Sequence, residues 1–460
     1  MADAQIIWFR QDLRLADQAA VRAAAAAGPV AAVYVLDDET PGEWRLGGAQ
    51  RWWLHHSLAS LAGNLERHEV QLILRRGRPE AVLPEVAAAL NTRTIHALHH
   101  YEPFAKTQEA AVAQRLDLRL HDGNLLLTPG AVVTGSGARF KIFTPFWKAA
   151  QSQLPPAAPL PAPVPTAAAR VLVSDELADW RLLPTKPDGS GGFNVWNPGE
   201  AGAQANLAQF AKVAHNYATG RNIPGEALTS RLSPHLHFGE ISPQTAWAAI
   251  SSATGDAAEP FLRELGWRDF AQTLLDSFPE SATTHQRTDF DKFAFTDVTT
   301  LDGAEALEAW RHGHTGYPII DAGMRQLWAT GWMHNRVRML TASFLIKHLR
   351  IDWREGSRWF WDTLVDADLG SNTLGWQWSM GSGVDSQPFY RIMAPVTQSE
   401  KFDGQGNYIR RWVPELAGVS ASAIHAPWLH GGVRGYPGPI VDHAVARGRA
   451  LAAYAASRGR

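Results

Sequence analysis

The 460-residue chain has no cysteine. That absence excludes disulfides, thiolate nucleophiles, cysteine-based zinc sites and iron–sulfur clusters, so any redox chemistry must rest on other groups. A long apolar run is missing too. VRAAAAAGPVAAVYVL, from Val21, is cut by Arg22, Gly28 and Pro29, and no membrane helix is expected. The opening MADAQIIWFRQD lacks the basic start, apolar stretch and cleavage site of a secretory signal, which gives the expectation of a cytoplasmic protein. There is no excess of positive charge. At a net charge of −2, nucleic acid would be drawn only by a local basic patch.

What is present is a globular composition, 45% hydrophobic and 19% charged, which rules out wholesale disorder. The length suggests roughly two to three domains. Tryptophan is abundant, 19 against 8 tyrosines, and most indoles follow Trp196. Core filling accounts for most of them, which leaves the clustered ones to explain.

Short apolar runs first alternate with helical patterns: QIIWF then residues 16–27, VAAVYVL then 49–67, VQLILR then 79–90, TIHAL then 103–116. Such alternation predicts an α/β domain, a doubly wound parallel sheet over residues 1–130. No G-x-G-x-x-G follows the first strand, which argues against an ordinary nicotinamide-dependent dehydrogenase. LPPAAPLPAPVPTAA, from Leu154, predicts an extended stretch inside a connector over residues 131–195. From Trp196 helical signals dominate, as in SPQTAWAAISSA with Ser242 as N-cap and Pro243 at the first helical position. Residues 196–460 are expected to form an all-α domain.

Four short segments carry chemistry. In TSRLS, residues Thr229, Ser230, Arg231, Leu232 and Ser233 offer hydroxyls, a guanidinium and backbone N–H groups to a phosphate, or simply cap a helix. In RELGWRDF, Glu264 and Trp267 are three apart and share a helix face. Together they suit a base, bonded at its edge and stacked on its flat face, although an amphipathic helix has the same spacing. In GWMHNRVRM, Asn335 and Met339 are four apart beside Arg338. His334 has no partner four residues on and reads as structural, so no metal site is expected. In DADLGSNTLGWQW, Asp366 can pair with Arg338 and Asp368 can accept from a heterocycle, since buried carboxylates need partners. Trp376 and Trp378, with Trp353, Trp359 and Trp361, form the densest indole region. Indoles can carry one-electron holes, and a Trp-rich core fits equally.

With WFRQDLRLAD, FTPFWKAA, HTGYPIIDAGMRQLWATGWMHNRVRM, IDWREG and PVTQSEKFD, these segments give the chain a likeness along nearly its whole length. It resembles the photolyase/cryptochrome flavoproteins, most closely the class I type that repairs cyclobutane pyrimidine dimers. The resemblance implies FAD in the helical domain. Tyr217 and Thr229 to Ser233 would hold its phosphates and ribityl chain, Phe261 would flank the flavin, and Asp366 and Asp368 would contact isoalloxazine and adenine. Arg338 would pair with Asp366, and Asn372 would face flavin N5. UV-damaged DNA would be the partner of a monomer acting by light-driven electron transfer. Glu264 would bond the thymine, Trp267 and Trp378 would enclose the flipped dimer, Asn335 would bond flavin and base, and Met339 would add a soft contact. Arg221, Arg336, Arg391, Gln398 and Lys401 would meet the DNA.

Two relatives on the same scaffold remain as alternatives, a (6-4) photolyase and a blue-light-sensing cryptochrome. The (6-4) photolyases usually carry His at the positions of Asn335 and Met339, and signalling cryptochromes often carry a long C-terminal extension where this chain continues only with YPGPIVDHAVARGRALAAYAASRGR. Three departures from the family stand out. Phe104 and Ala105 replace the Asn-Glu pair that holds methenyltetrahydrofolate in some members, so an antenna, if bound, is expected to be 8-hydroxydeazaflavin or FMN near Glu102 and Arg51. Gln18 replaces a usual Asn. Trp376 and Trp353 match the proximal and middle indoles of an electron relay, but the third position falls on Thr300.

Overall fold

The computed structural model describes residues 3–163, 168–185, 188–386 and 390–459. Five parallel strands, β1 (Gln5–Phe9), β2 (Val30–Leu36), β3 (Leu72–Arg76), β4 (Thr94–Leu98) and β5 (Asp117–His121), form one sheet in the order β3-β2-β1-β4-β5. Helices α1 (Ala19–Ala27), α2 (Gly48–Glu66), α3 (Pro79–Ala89) and α4 (Pro103–Ala113) connect them. The pleat sorts the strands' side chains into two cores. Ile7, Phe9, Ala32, Tyr34 and Leu74 enter one, and Ile6, Trp8, Ala31, Val33 and Ile73 the other. Covering on both faces explains why β1 and β2 read as unbroken apolar runs. The charged edge strand β5, DLRLH, escaped that pattern because an outer strand carries charge rather than a continuous apolar face.

Helix α1 starts at Ala19, later than its sequence pattern, because Gln18 caps it. The Gln18 side-chain oxygen accepts from the N–H of Ala20 at 2.7 Å and of Val21 at 3.2 Å, while its amide donates to Asp12 at 2.7 Å. The longer amide therefore does an asparagine's capping work. Within residues 131–195 lies a further helix, α5 (Phe143–Ala150), packed through Phe143 and Phe146 against Phe270.

The remainder is helical: α6 (Glu200–Val213), α7 (Tyr217–Gly220), α8 (Ser233–His237), α9 (Pro243–Thr254), α10 (Glu259–Ser277), α11 (Leu301–Arg311), α12 (Pro318–Thr330), α13 (Asn335–Ser343), α14 (Trp353–Thr363), α15 (Leu369–Met380), α16 (Pro395–Phe402), α17 (Asn407–Trp412) and α18 (His443–Ser457). Ser242 caps α9, accepting from Thr245 N–H at 3.0 Å with Pro243 at the first position. Helix α13 continues into a π-helical turn, Phe344–His348. Helix α15 is central, packed against α10, α13 and α14. The sheet and helical parts are tied by buried polar contacts. Arg14 donates to the Gly239 carbonyl at 2.9 Å and Trp53 to Glu240 at 2.9 Å. Among the described residues no helix is long and apolar enough to cross a membrane.

Candidate active site

Helices α10, α13, α14 and α15 enclose a cavity of about 440 Å³, within the usual range of small-molecule and cofactor sites. Asp366, on the turn into α15, is buried in its wall. Asp366 Oδ2 accepts from Arg338 Nη2 at 2.8 Å, and Arg338 Nε donates to the Met333 carbonyl at 2.8 Å. The other carboxylate oxygen, Oδ1, is buried with no hydrogen-bond partner among the described residues. An orphaned buried oxygen is costly and marks where a ligand N–H belongs. Asn372 gives its amide N–H groups to Ser357, at 3.0 Å to the hydroxyl and 3.3 Å to the carbonyl. Its oxygen is thereby left for a donor in the cavity. Asp368 caps α15, accepting from Ser371 N–H at 2.7 Å, and also accepts from Gln272 at 2.8 Å.

Glu264 and Trp267 of α10, Asn335 and Met339 of α13, and Trp376 and Trp378 of α15 all line the same cavity. Helical spacing brings Glu264 with Trp267, and Asn335 with Met339, to one face each; Trp376 and Trp378, two residues apart, reach the cavity from different sides of α15. Burial pushes the Glu264 carboxyl up from its ordinary value, opposed by Arg221, whose guanidinium lies 2.6 Å away. Trp267 is stacked on Phe143 at 3.6 Å and 10°, so only its other face is available to a ligand. His334 caps α13, accepting from Arg336 N–H at 3.2 Å. Burial and then the neighbouring Arg338 bring its pKa down to about 4, which keeps the ring neutral in that capping role at pH 7.

At the mouth, Arg336 donates to the Asn222 side-chain oxygen at 2.6 and 3.2 Å, and its guanidinium lies 4.5 Å from the centre of the Phe402 ring. Lys401 approaches the same ring at 5.3 Å, with Gln398 one turn earlier on α16. Burial lowers the Arg336 pKa first, and the charges of Arg221 and Arg391 lower it further. These cations lie within mutual electrostatic reach.

Several expected contacts are not on the wall. Phe261 packs with Phe210 at 5.0 Å and Tyr217 at 5.7 Å in a separate aromatic cluster, so its ring is consumed by the core instead of flanking the cavity. Leu232 is fully buried in the same core. Ser230 accepts from Leu232 N–H at 3.3 Å, and Thr229 is half-buried. Arg231, at φ +51°, lies over Trp196 and Trp332, and Ser233 accepts from Trp332 Nε1 at 3.3 Å. Arg338 covers the same indole at 5.9 Å. TSRLS thus adjoins the cavity through Trp332 without forming its wall. The two expected antenna contacts have different partners. Arg51 pairs with Asp38, whereas Glu102 faces His100 at 3.9 Å beside Asp368, and burial raises it to about 7.

Trp376 is buried against Phe360 at 5.0 Å and Trp310 at 6.4 Å. Helix α14 approaches so closely that a Cβ on Gly356 would lie 2.0 Å from the Trp376 ring. Gly356→Ala is expected to cost about 1–3 kcal/mol as an overpacked core, read as a lower thermal midpoint. An unchanged midpoint would show that α14 and α15 part freely. Phe143, Ser357 and Phe360 were missed by sequence reasoning. Phe143 had a signal in FTPFWKAA, whereas Ser357 is a small polar residue with none.

Residues 5–165 match the family model described as DNA photolyase, and residues 261–456 match the FAD binding domain of DNA photolyase. A deoxyribodipyrimidine photo-lyase of Agrobacterium fabrum is 45% identical over 98% of this chain and 97% of its own. Cryptochrome-1 of Arabidopsis thaliana is 36% identical over 92% of this chain and 64% of its own. The crystal structure of a bacterial class III photolyase from Agrobacterium tumefaciens superposes with a TM-score of 0.94 at 44% identity, covering 100% of this chain and 98% of that one. Matches to both halves of the chain, joined to the parallel sheet and helical cavity, make this protein a member of the photolyase/cryptochrome family.

Proposed function

We propose that the protein is a DNA photolyase that uses light and FAD to split cyclobutane pyrimidine dimers, and that it groups with class III rather than class I members. One observation carries the reading: a single cavity joins the orphaned Asp366 Oδ1 and the Asn372 oxygen to Glu264, Trp267 and Trp378. The close superposition on the class III structure supports that choice of class. Glu102 and Arg51, the residues expected at an antenna, are engaged separately by His100 and Asp38.

When bound, reduced FAD supplies a photoexcited one-electron donor. The protein's part is positioning and electrostatics. Asp366 would accept a ring N–H of the flavin with Arg338 balancing its charge, and the Asn372 oxygen would meet a second N–H without adding charge. A dimer inside a duplex must be rotated out, and photolyases are themselves among the enzymes from which that rule is drawn. The free face of Trp267 and the Trp378 ring stack on the extruded bases, each stack worth roughly 1–3 kcal/mol. Splitting the dimer breaks its two cyclobutane C–C bonds, and because the electron that bound FAD would lend is one the product can give back, no oxidant would be consumed. Glu264 hydrogen-bonds the charged pyrimidine. Asn335 and Met339 suit this reaction, whereas (6-4) repair needs a proton donor there.

The test is irradiation of reduced holoenzyme with oligonucleotides containing either lesion. Restored thymines from the cyclobutane dimer alone are expected, and restoration of neither lesion, or of the (6-4) product, rejects the reading. Binding should also fall with salt despite the chain's charge of −2. If Arg221, Arg336, Arg391 and Lys401 each meet a phosphate, the log–log slope is about −3 to −4, and Arg336→Ala reduces it by about 1. A flat salt response would sink the basic docking face.

A further inference from the structure

Lys347 is buried in the π-helical turn after α13. Its ammonium donates to the main-chain carbonyl of Arg391 and lies 4.4 Å from the centre of the Tyr390 ring. Tyr390 stacks in turn on Tyr454 of α18, at 4.5 Å and 5°. No carboxylate among the described residues pairs with this amine. An ammonium buried without a counter-ion is costly, yet nothing on the cofactor side of the cavity uses it. Lys347 borders a cleft of about 20 Å³ together with Trp378, Ser379, Arg391 and Met393. It therefore sits between the indole that stacks on the lesion and the backbone that carries Arg391.

We propose that Lys347 is a positioning residue for DNA docking: it pins the main chain at Arg391 so that this guanidinium meets a phosphate while Trp378 stacks on the flipped base. The proposal rests on the DNA-repair reading above. The groups around the amine are Arg391 and Tyr390 on the docking segment, His348 on its own turn, and Tyr454 and His443 on α18. Burial, and then repulsion from Arg391, brings the Lys347 pKa from 10.5 to about 7. A phosphate arriving at Arg391 favours the charged amine, so binding takes up a proton where free Lys347 is neutral. Affinity is full below about pH 7 and declines as pH rises above it.

The experiment compares FAD-loaded wild type with Lys347→Met and Lys347→Gln on a dimer-containing duplex. Kd is measured at about pH 6.5 and 8.5, alongside repair yield at saturating DNA and the flavin absorbance spectrum. The Met variant is expected to bind about tenfold more weakly at the lower pH, with a Kd that no longer varies with pH. Its yield at saturation and its flavin spectrum should stay as in wild type. The Gln variant keeps a donor for the Arg391 carbonyl without the charge, so its Kd rises less but also becomes pH-independent. Wild-type affinity in both variants, or a retained pH dependence, overturns the proposal. Loss of flavin along with binding also overturns it, since that marks a purely structural role. Wild type that fails to bind the dimer sinks the repair reading itself, and the proposal with it.

Discussion

Glu264→Ala is expected to lower the repair yield at saturating lesion about tenfold or more, with only a few-fold rise in Kd, because a hydrogen bond to a charged group contributes about 1.5–3 kcal/mol and this charge exists only after electron transfer. Stacking on Trp267 and Trp378 and the cations at the mouth are untouched by the change, so affinity should largely survive. Glu264→Gln keeps a donor and should fall between wild type and Ala. The ion pair with Arg221 at 2.6 Å adds a condition. For Glu264 to serve the lesion, Arg221 must let go, and a phosphate is the natural group to take it. Docking and release of the carboxyl are then one event. Once Arg221 is gone, the burial that already raises the Glu264 pKa acts without its main opponent, and the carboxyl becomes a better donor. Arg221→Ala should therefore weaken DNA binding while leaving the yield at saturation close to wild type. A yield that falls with affinity in proportion, in either variant, would separate the two roles and reject the coupling.

Much of this arrangement is legible in the sequence because it is local. The strands QIIWF, VAAVYVL and TIHAL were found whole, and the spacing of Glu264 with Trp267 and of Asn335 with Met339 fixed which residues share a face. The Arg338–Asp366 pair, 28 positions apart, was readable because a buried carboxylate demands a cation. What spacing cannot supply is the identity of the partner across space. Phe261 lies on the same helix as Glu264, yet its ring is taken by Phe210 and Tyr217 from α6 and α7. Phe143 covers a face of Trp267 from more than a hundred residues away. Arg221 was assigned to DNA alone, since nothing in RNIPGE announces a pairing with Glu264. The edge strand β5 was missed for a different reason, that its charges hide the period on which strand reading depends.

If light reduces the bound flavin through indoles, Trp359→Phe and Trp328→Phe are expected to abolish the long-lived indole radical formed when the oxidised protein is illuminated, whereas Trp353→Phe leaves it. Trp353 is fully buried, and its indole N–H has no partner among the described residues. A hole on it needs a further donor nearer the solvent. By the family's spacing that donor would fall at Thr300, whose hydroxyl caps α11 by accepting from Gly303 N–H at 3.3 Å and cannot hold a hole. The branch is a blind end that favours recombination. Helix α14 offers another route. Phe360 meets the Trp376 ring at 5.0 Å, and the preceding residue, Trp359, is stacked at 5.9 Å and 10° on Trp328, which is 47% exposed. The guanidinium of Arg311 lies 5.1 Å from the Trp359 ring, so positive charge is less welcome there than on Trp328, where water can stabilise it and remove a proton. Trp361, the other substitute raised by sequence, is buried with its N–H bonded to the Arg45 carbonyl at 2.8 Å, and Trp361→Phe should have little effect. Repair by chemically reduced protein starts with the electron in place, so the Trp359, Trp328 and Trp353 variants should repair as wild type does. Transient absorption decides the matter. Loss of the radical in Trp353→Phe, with Trp359→Phe normal, would show that the inherited path works without its third indole.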